Sequence, residues 1–264
     1  GSGERPIHTY ANAGSYTVVL EVVDDGTPNL SASASTLAAI SADPSSRQVT
    51  LTAIQDNSLF SESDSSYGAG QCLQLGRPGL RPNLFRRALV QFDLSSIPPG
   101  SRIVSARLNL FRLVQGGPGV VLTLHRILQS WGEGTSGAGE DCNPPPKQFG
   151  NAPTESSSTW NYRFYGSRLP WTTESGAPAR GGSFVSAYSD SESVSPFASN
   201  VGLVSGGITS DVTEWVRDPS SNHGWMLLGD EVNLGTGLRF ASRQDPNPAH
   251  APTLTVFFTA TMGA

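Results

Sequence analysis

Lysine is almost absent from this chain. Lys147 is the only one, and every other basic residue is arginine, a bias that genomic base composition accounts for. Charge of either sign is scarce. It makes up 15% of the 264 residues, and 17 basic against 22 acidic side chains leave a net charge of −5. That balance excludes an electrostatic grip on nucleic acid. No apolar run approaches the roughly 20 residues of a membrane span. No signal peptide is visible and the first residue is not Met, so the sequence reads as a mature, processed or truncated product.

Catalytic signatures are missing as well. His8, His125, His223 and His250 lie far apart and in no HxxxH spacing. His125, inside the strand-like VVLTLHRIL, reads as structural, and His223 sits at a loop-to-strand turn. There is no GxSxG elbow. A glycosidase needs two acids about 5–10 Å apart across a cleft, and the adjacent Glu140 and Asp141 give no sign of that. No enzymatic activity is expected. Cysteine is limited to Cys72, in the alternating QCLQLG, and Cys142, in the polar loop GEDCNPPPK. In a secreted chain the pair suggests one disulfide anchoring a long loop, against two free thiols as the other reading. Without CxxC spacing the two do not argue for zinc.

Glycine (29) and proline (19) are abundant, which suits a turn-rich β protein with long loops. VTLTAI, CLQLG, RALVQFDL, SARLNLFRLV, VVLTLHRIL, GWMLLGD, LRFASR and TLTVFFTAT alternate or run apolar with β-branched and aromatic residues. PPG at 98–100 and GGPG at 116–119 are turns between them. One short helix is expected at DVTEWVRD, with Asp211 as N-cap and Glu214 three residues later. A Ser/Gly/Pro-rich stretch between Gly132 and Gly207 has only brief strand signals, and a loop of that length is expected to be functional or anchored by something else. The chain divides into a strand-bearing arm at 1–34, a connector at 35–46 (TLAAISADPSSR) broken by Pro44, and a β region at 47–264.

The arm carries the pattern GSYTVVLEVVDDG. Tyr16, Val18, Leu20 and Val22 face one way, with Val19 and Val23 in the opposite set. Both faces are thus partly apolar, as in a strand buried inside a sandwich. Burial of these side chains does not by itself outweigh the entropy of ordering about ten residues, so the arm needs a receiving sheet.

Residues 8–25 resemble the end of a polycystic-kidney-disease-type (PKD) immunoglobulin-like domain. Residues 48–258 resemble the DNRLRE family of secreted β-sandwiches. The second likeness rests on VTLTAIQDNSLF, YGAGQCLQLG, RALVQFDLSSIPPGSRIVSARLNLF, LHRILQSWGEG, STWNYR, WTTESGAPARGG, DVTEWV, NHGWMLLG, FASRQ and PTLTVFF, in that order. The family pattern favours Glu after the Ser-Arg pair, where this chain has Gln244, so no charge role is carried over there. The resemblance implies an all-β, jelly-roll-like sandwich with one short helix and long loops, on an extracellular protein. Some relatives look like carbohydrate-binding modules.

Three functional readings follow. The arm donates a strand to a neighbouring copy, a heterologous contact that repeats head to tail into a filament. Its assembly residues are then Tyr16, Val18, Val19, Leu20 and Val22. Alternatively the chain is a carbohydrate-binding or adhesion module from a larger surface protein, with Trp160, Tyr162, Arg163 and Trp171 of STWNYRFYGSRLPW stacking on sugar or pairing with uronate. Against this, Trp160 and Trp171 also read as core plugs under the long loop. The third reading is a plain spacer. Calcium has candidate ligands in Asp56, Glu62 and Asp64, but no DxDxDG spacing, and a solvated acidic loop is the plainer reading. Asn29 begins the one N-glycosylation sequon, Asn29-Leu30-Ser31.

Overall fold

A computed structural model describes residues 10, 14–27, 30–40, 46–79, 84–114, 116–141 and 150–260. The chain divides into two compact units, residues 1–47 and 48–264.

The first unit is built on a hairpin. Strand β1 (Gly14–Val23) and strand β2 (Ser31–Ile40) pair antiparallel over ten residues. Asp24 shapes the turn, its Oδ1 accepting from the backbone N–H of Leu30 at 2.7 Å and of Gly26 at 3.2 Å. Residues 35–40, expected as connector, are the second half of β2. The sequence SASASTLAAI has no aromatic and only Thr36 and Ile40 as β-branched residues, a weak strand signal, so pairing with β1 is what makes it a strand.

The second unit is all-β and sandwich-like, with one helix. Its long strand β3 (Ser46–Phe60) opens the framework, followed by β4 (Cys72–Leu75), β5 (Arg86–Phe92), β6 (Arg102–Phe111) and β7 (Val120–Arg126). The short strands β8 (Tyr162–Phe164), β9 (Leu169–Pro170), β10 (Asp190–Val194) and β11 (Asn200–Val204) punctuate the long loop region. The helix α1 (Gly206–Arg217) precedes β12 (Trp225–Leu228), β13 (Leu238–Ala241) and β14 (Thr253–Thr259). Eight strands form one sheet in the order β10-β7-β12-β5-β3-β14-β6-β11. Its edge strands β10 and β11 approach each other, so the sheet curls nearly closed. Strand β3 serves both halves. It pairs with β5 from Ala53 to Phe60, and the Ala53 N–H donates to the Pro252 carbonyl on the β14 side.

Alternation explains the core. In β14 every second side chain (Leu254, Val256, Phe258) is buried, and with Leu108, Val90, Trp225 and Leu227 they form the main apolar cluster. Burial at roughly 25 cal/mol per Å² is the dominant stabilising term in such a core.

The helix starts earlier than expected. Ser205, not Asp211, is the N-cap, accepting from the Ile208 N–H at 3.2 Å. The buried stripe Ile208, Val212, Trp215 and Val216 has helical spacing and begins a turn before DVTEW. Asp211 sits mid-helix, where its Oδ2 accepts from the Trp225 indole N–H at 2.7 Å and from the Ser189 hydroxyl at 2.5 Å.

Candidate functional site

The hairpin is amphipathic, and its pairing register shows how. Directly paired residues share a face. Val18, Leu20 and Val22 lie opposite Thr36, Ala34 and Ala32. Val19, Glu21 and Val23 lie opposite Ser35, Ser33 and Ser31. One face is therefore uncharged and mostly aliphatic, and the other carries Glu21 and three serines beside Val19 and Val23. Both faces are partly apolar, as the alternation implies, since Val19 and Val23 share the side of Glu21, but only the side of Val18, Leu20 and Val22 is free of charge.

That side is uncovered within the first unit. Val18 is 36% exposed, Leu20 53% and Val22 56%, and on the serine-bearing side Val19 is 64% exposed. The cause is the small side chains of β2: alanines supply the alternation but little area. Among the described residues β1 and β2 pair only with each other, and a lone two-stranded hairpin is marginally stable in water.

The aromatic segment 160–171 behaves differently from the sugar platform proposed for it. Trp171 is fully buried and donates its indole N–H to the Thr159 carbonyl at 2.8 Å. Trp160 is nearly buried, packed beside Phe85 and under the Arg87 guanidinium. Neither ring offers a face to a sugar. Both belong to a second apolar cluster with Leu59, Leu89, Trp131 and Met226, which anchors the long loop. Asn57 adds to the anchoring, donating to the Ser158 carbonyl and hydroxyl at 3.0 and 2.8 Å. What stays partly exposed is Tyr162, Arg163 and Tyr165. Arg163 donates to the Ser130 carbonyl and hydroxyl, both at 3.0 Å. Arg168, interleaved with these aromatics in the sequence as Arg163 is, lies over the rings of Tyr162 and Tyr165 at 5.3 and 4.9 Å. It adopts φ +52, a left-handed conformation that is uncommon away from glycine.

The three calcium candidates do not converge. Glu62 pairs with Arg86 at 2.6 Å. Asp64 accepts from Asn161 Nδ2 at 2.7 Å. Asp56 is fully buried, its Oδ2 accepting from the Arg243 backbone N–H at 2.7 Å. Among the described residues no group of three or more His, Cys, Asp or Glu could hold a metal ion. Burial pushes the Asp56 carboxyl well above its ordinary value, despite the Arg243 N–H, with Glu133 adding to the rise. Glu133 in turn holds Arg243 through two hydrogen bonds, at 2.6 and 2.5 Å. Gln244 donates to Glu133 Oε1 at 3.2 Å and to the Gly68 carbonyl at 3.0 Å. A glutamate at 244 would set a second carboxylate against Glu133, so glutamine suits this network.

His125 is buried, with Nδ1 2.9 Å from the Val185 carbonyl and Nε2 3.0 Å from Thr123 Oγ1. Burial lowers its pKa, as for a neutral structural imidazole. The His223 carbonyl accepts from the Trp131 indole N–H at 2.9 Å. His250 stacks on Phe111 at a centroid distance of 3.6 Å. The described histidines are thus spread over separate packing roles. Cys72 is fully buried and disulfide-bonded; Cys142, Asn29 and His8 lie outside the described residues. Among the described residues no helix is long and apolar enough to cross a membrane.

The chain matches no family model, and no curated protein matches it significantly.

Proposed function

We propose that this is a non-catalytic extracellular structural protein whose copies assemble head to tail through the N-terminal hairpin. The carrying observation is the uncharged face formed by Val18, Leu20, Val22, Ala32 and Ala34, about half of whose valine and leucine surface remains open to solvent. Contiguous exposed apolar surface marks an interaction site. Because β1 already has β2 as its partner, the donated element is a two-stranded ribbon, not a single strand. One hairpin per copy, docking on a different surface of the next, is a heterologous contact and propagates as an open filament. A disulfide-bonded Cys72 supports an oxidising, extracellular setting. The PKD-type and DNRLRE-type resemblances of residues 8–25 and 48–258 support the same setting.

Light scattering and negative-stain microscopy of the full chain test this. Concentration-dependent growth into filaments is expected, and Leu20→Asp should abolish it. A monomer at every concentration would end the proposal.

A second reading, carbohydrate binding, is favoured by the Tyr162–Arg168–Tyr165 cluster. Its exposed guanidinium between two aromatic rings suits an acidic sugar. Affinity electrophoresis in alginate or pectate gels, with Arg168→Ala as control, tests it. No retardation of the wild-type chain would remove this reading.

A further inference from the structure

An apolar cleft of about 410 Å³ opens on the second unit, between β3, the turn after β5 and the C-terminal end of α1. Its lining includes Ile54, Leu94, Ile97, Pro99, Trp215 and Val216. Ile54 is the unusual member. The β3–β5 register shifts between Ala53 and Gln55, and this bulge leaves Ile54 50% exposed at the cleft. Bulges commonly re-aim a side chain. Here the result is a large aliphatic side chain turned to solvent beside an apolar hollow. Among the described lining residues Asp93 is the only charged one, and its carboxylate is engaged by the Ser95 N–H and hydroxyl, both at 2.9 Å.

Building on the assembly reading, we infer that this cleft is the receiver for the hairpin of a second copy. The face carrying Val18, Leu20 and Val22 enters it, with Leu20 as the deepest side chain. Three observations choose this occupant. The hairpin face has uncovered branched aliphatic side chains and no charge, which matches a hollow whose single charge is already engaged. The one acid on the two paired strands, Glu21, sits on the opposite face and is kept out of the cleft, while Asp24 and Asp25 lie in the turn beyond the strands. Each copy carries one such face and one such cleft, so the stoichiometry closes for a head-to-tail chain. Trp215 forms part of the lining and makes occupancy visible in fluorescence.

The test uses full chains. Ile54→Asp damages the receiver and leaves the hairpin intact, while Leu20→Asp does the converse. Pro99→Glu, at an exposed residue of the same rim, is a second receiver variant should Ile54→Asp melt early. Each variant alone should stay monomeric in sedimentation, with self-association weakened at least a hundredfold. An equimolar mixture of Leu20→Asp and Ile54→Asp should form a one-to-one dimer and nothing longer, with a shift in tryptophan emission. If Leu20→Asp blocks assembly but both receiver variants assemble like wild type, the cleft is refuted and the hairpin reading stands. If Leu20→Asp assembles like wild type, both fall. Folded variants that fail to dimerise on mixing would also refute the cleft.

Discussion

The assembly reading predicts a graded and face-specific response at Leu20. In the free chain Leu20 keeps 53% of its surface exposed. Burying a whole leucine from water is worth about 1.5–3 kcal/mol, so docking the exposed half gains about 1 kcal/mol. Leu20→Ala forfeits most of that, and a loss of about 1 kcal/mol weakens association roughly fivefold. Leu20→Asp loses the same contact and also buries a carboxylate without a partner, which adds about 3 kcal/mol or more. Together these weaken association by roughly a thousandfold. Val19→Asp is the control, because Val19 shares its face with Glu21, Ser33 and Ser35 and should shift association less than about fivefold. Sedimentation velocity over a range of concentrations measures all three. Thermal melts should be unchanged, because the second unit has its own core. Equal effects of Val19→Asp and Leu20→Asp would show that the amphipathic face is not the contact and would refute the reasoning.

Trp171→Ala should cost about 3–5 kcal/mol in denaturant melts, since it empties a fully buried site; unchanged stability would contradict the anchoring role of the 160–171 segment. Asp56 has a raised folded pKa, so between the ordinary carboxylate value of about 4 and that raised value the folded chain holds a proton the unfolded chain has released. Stability from this group therefore falls as pH rises through the window. Asp56→Asn should gain on wild type with rising pH, and a constant difference in melting temperature from pH 4 to 8 would exclude the assignment. The Cys72–Cys142 bridge, proposed from the cysteine count and the disulfide at Cys72, predicts no alkylation without prior reduction and about 2–5 kcal/mol lost when reduced; two alkylated thiols on the untreated protein by intact mass would refute it.

Period-two patterning was enough to place the all-β class, because each strand's buried side chains are set by its own alternation. Strand β14 shows this with Leu254, Val256 and Phe258, and the alternating Ser and Ala of β2 carry the same period in disguise. The existence of one helix was legible for the same local reason, from Val212, Trp215 and Val216, while its start was misplaced because Ser205 caps it seven residues before the first of these. Long-range closure decided the rest. Trp160 and Trp171 read from sequence as a platform or as core plugs, and packing with Leu59, Leu89 and Met226, distant in sequence, decides for the core. Asp56, Glu62 and Asp64 lie within nine residues, yet Arg243, Arg86 and Asn161 draw them to three separate partners. The polarity of the hairpin depended on register, since only the opposition of Leu20 to Ala34 and of Glu21 to Ser33 sorts the two strands into one uncharged side and one that bears the acid and the serines. Sequence sets which side chains alternate; pairing across the chain decides what each alternation faces.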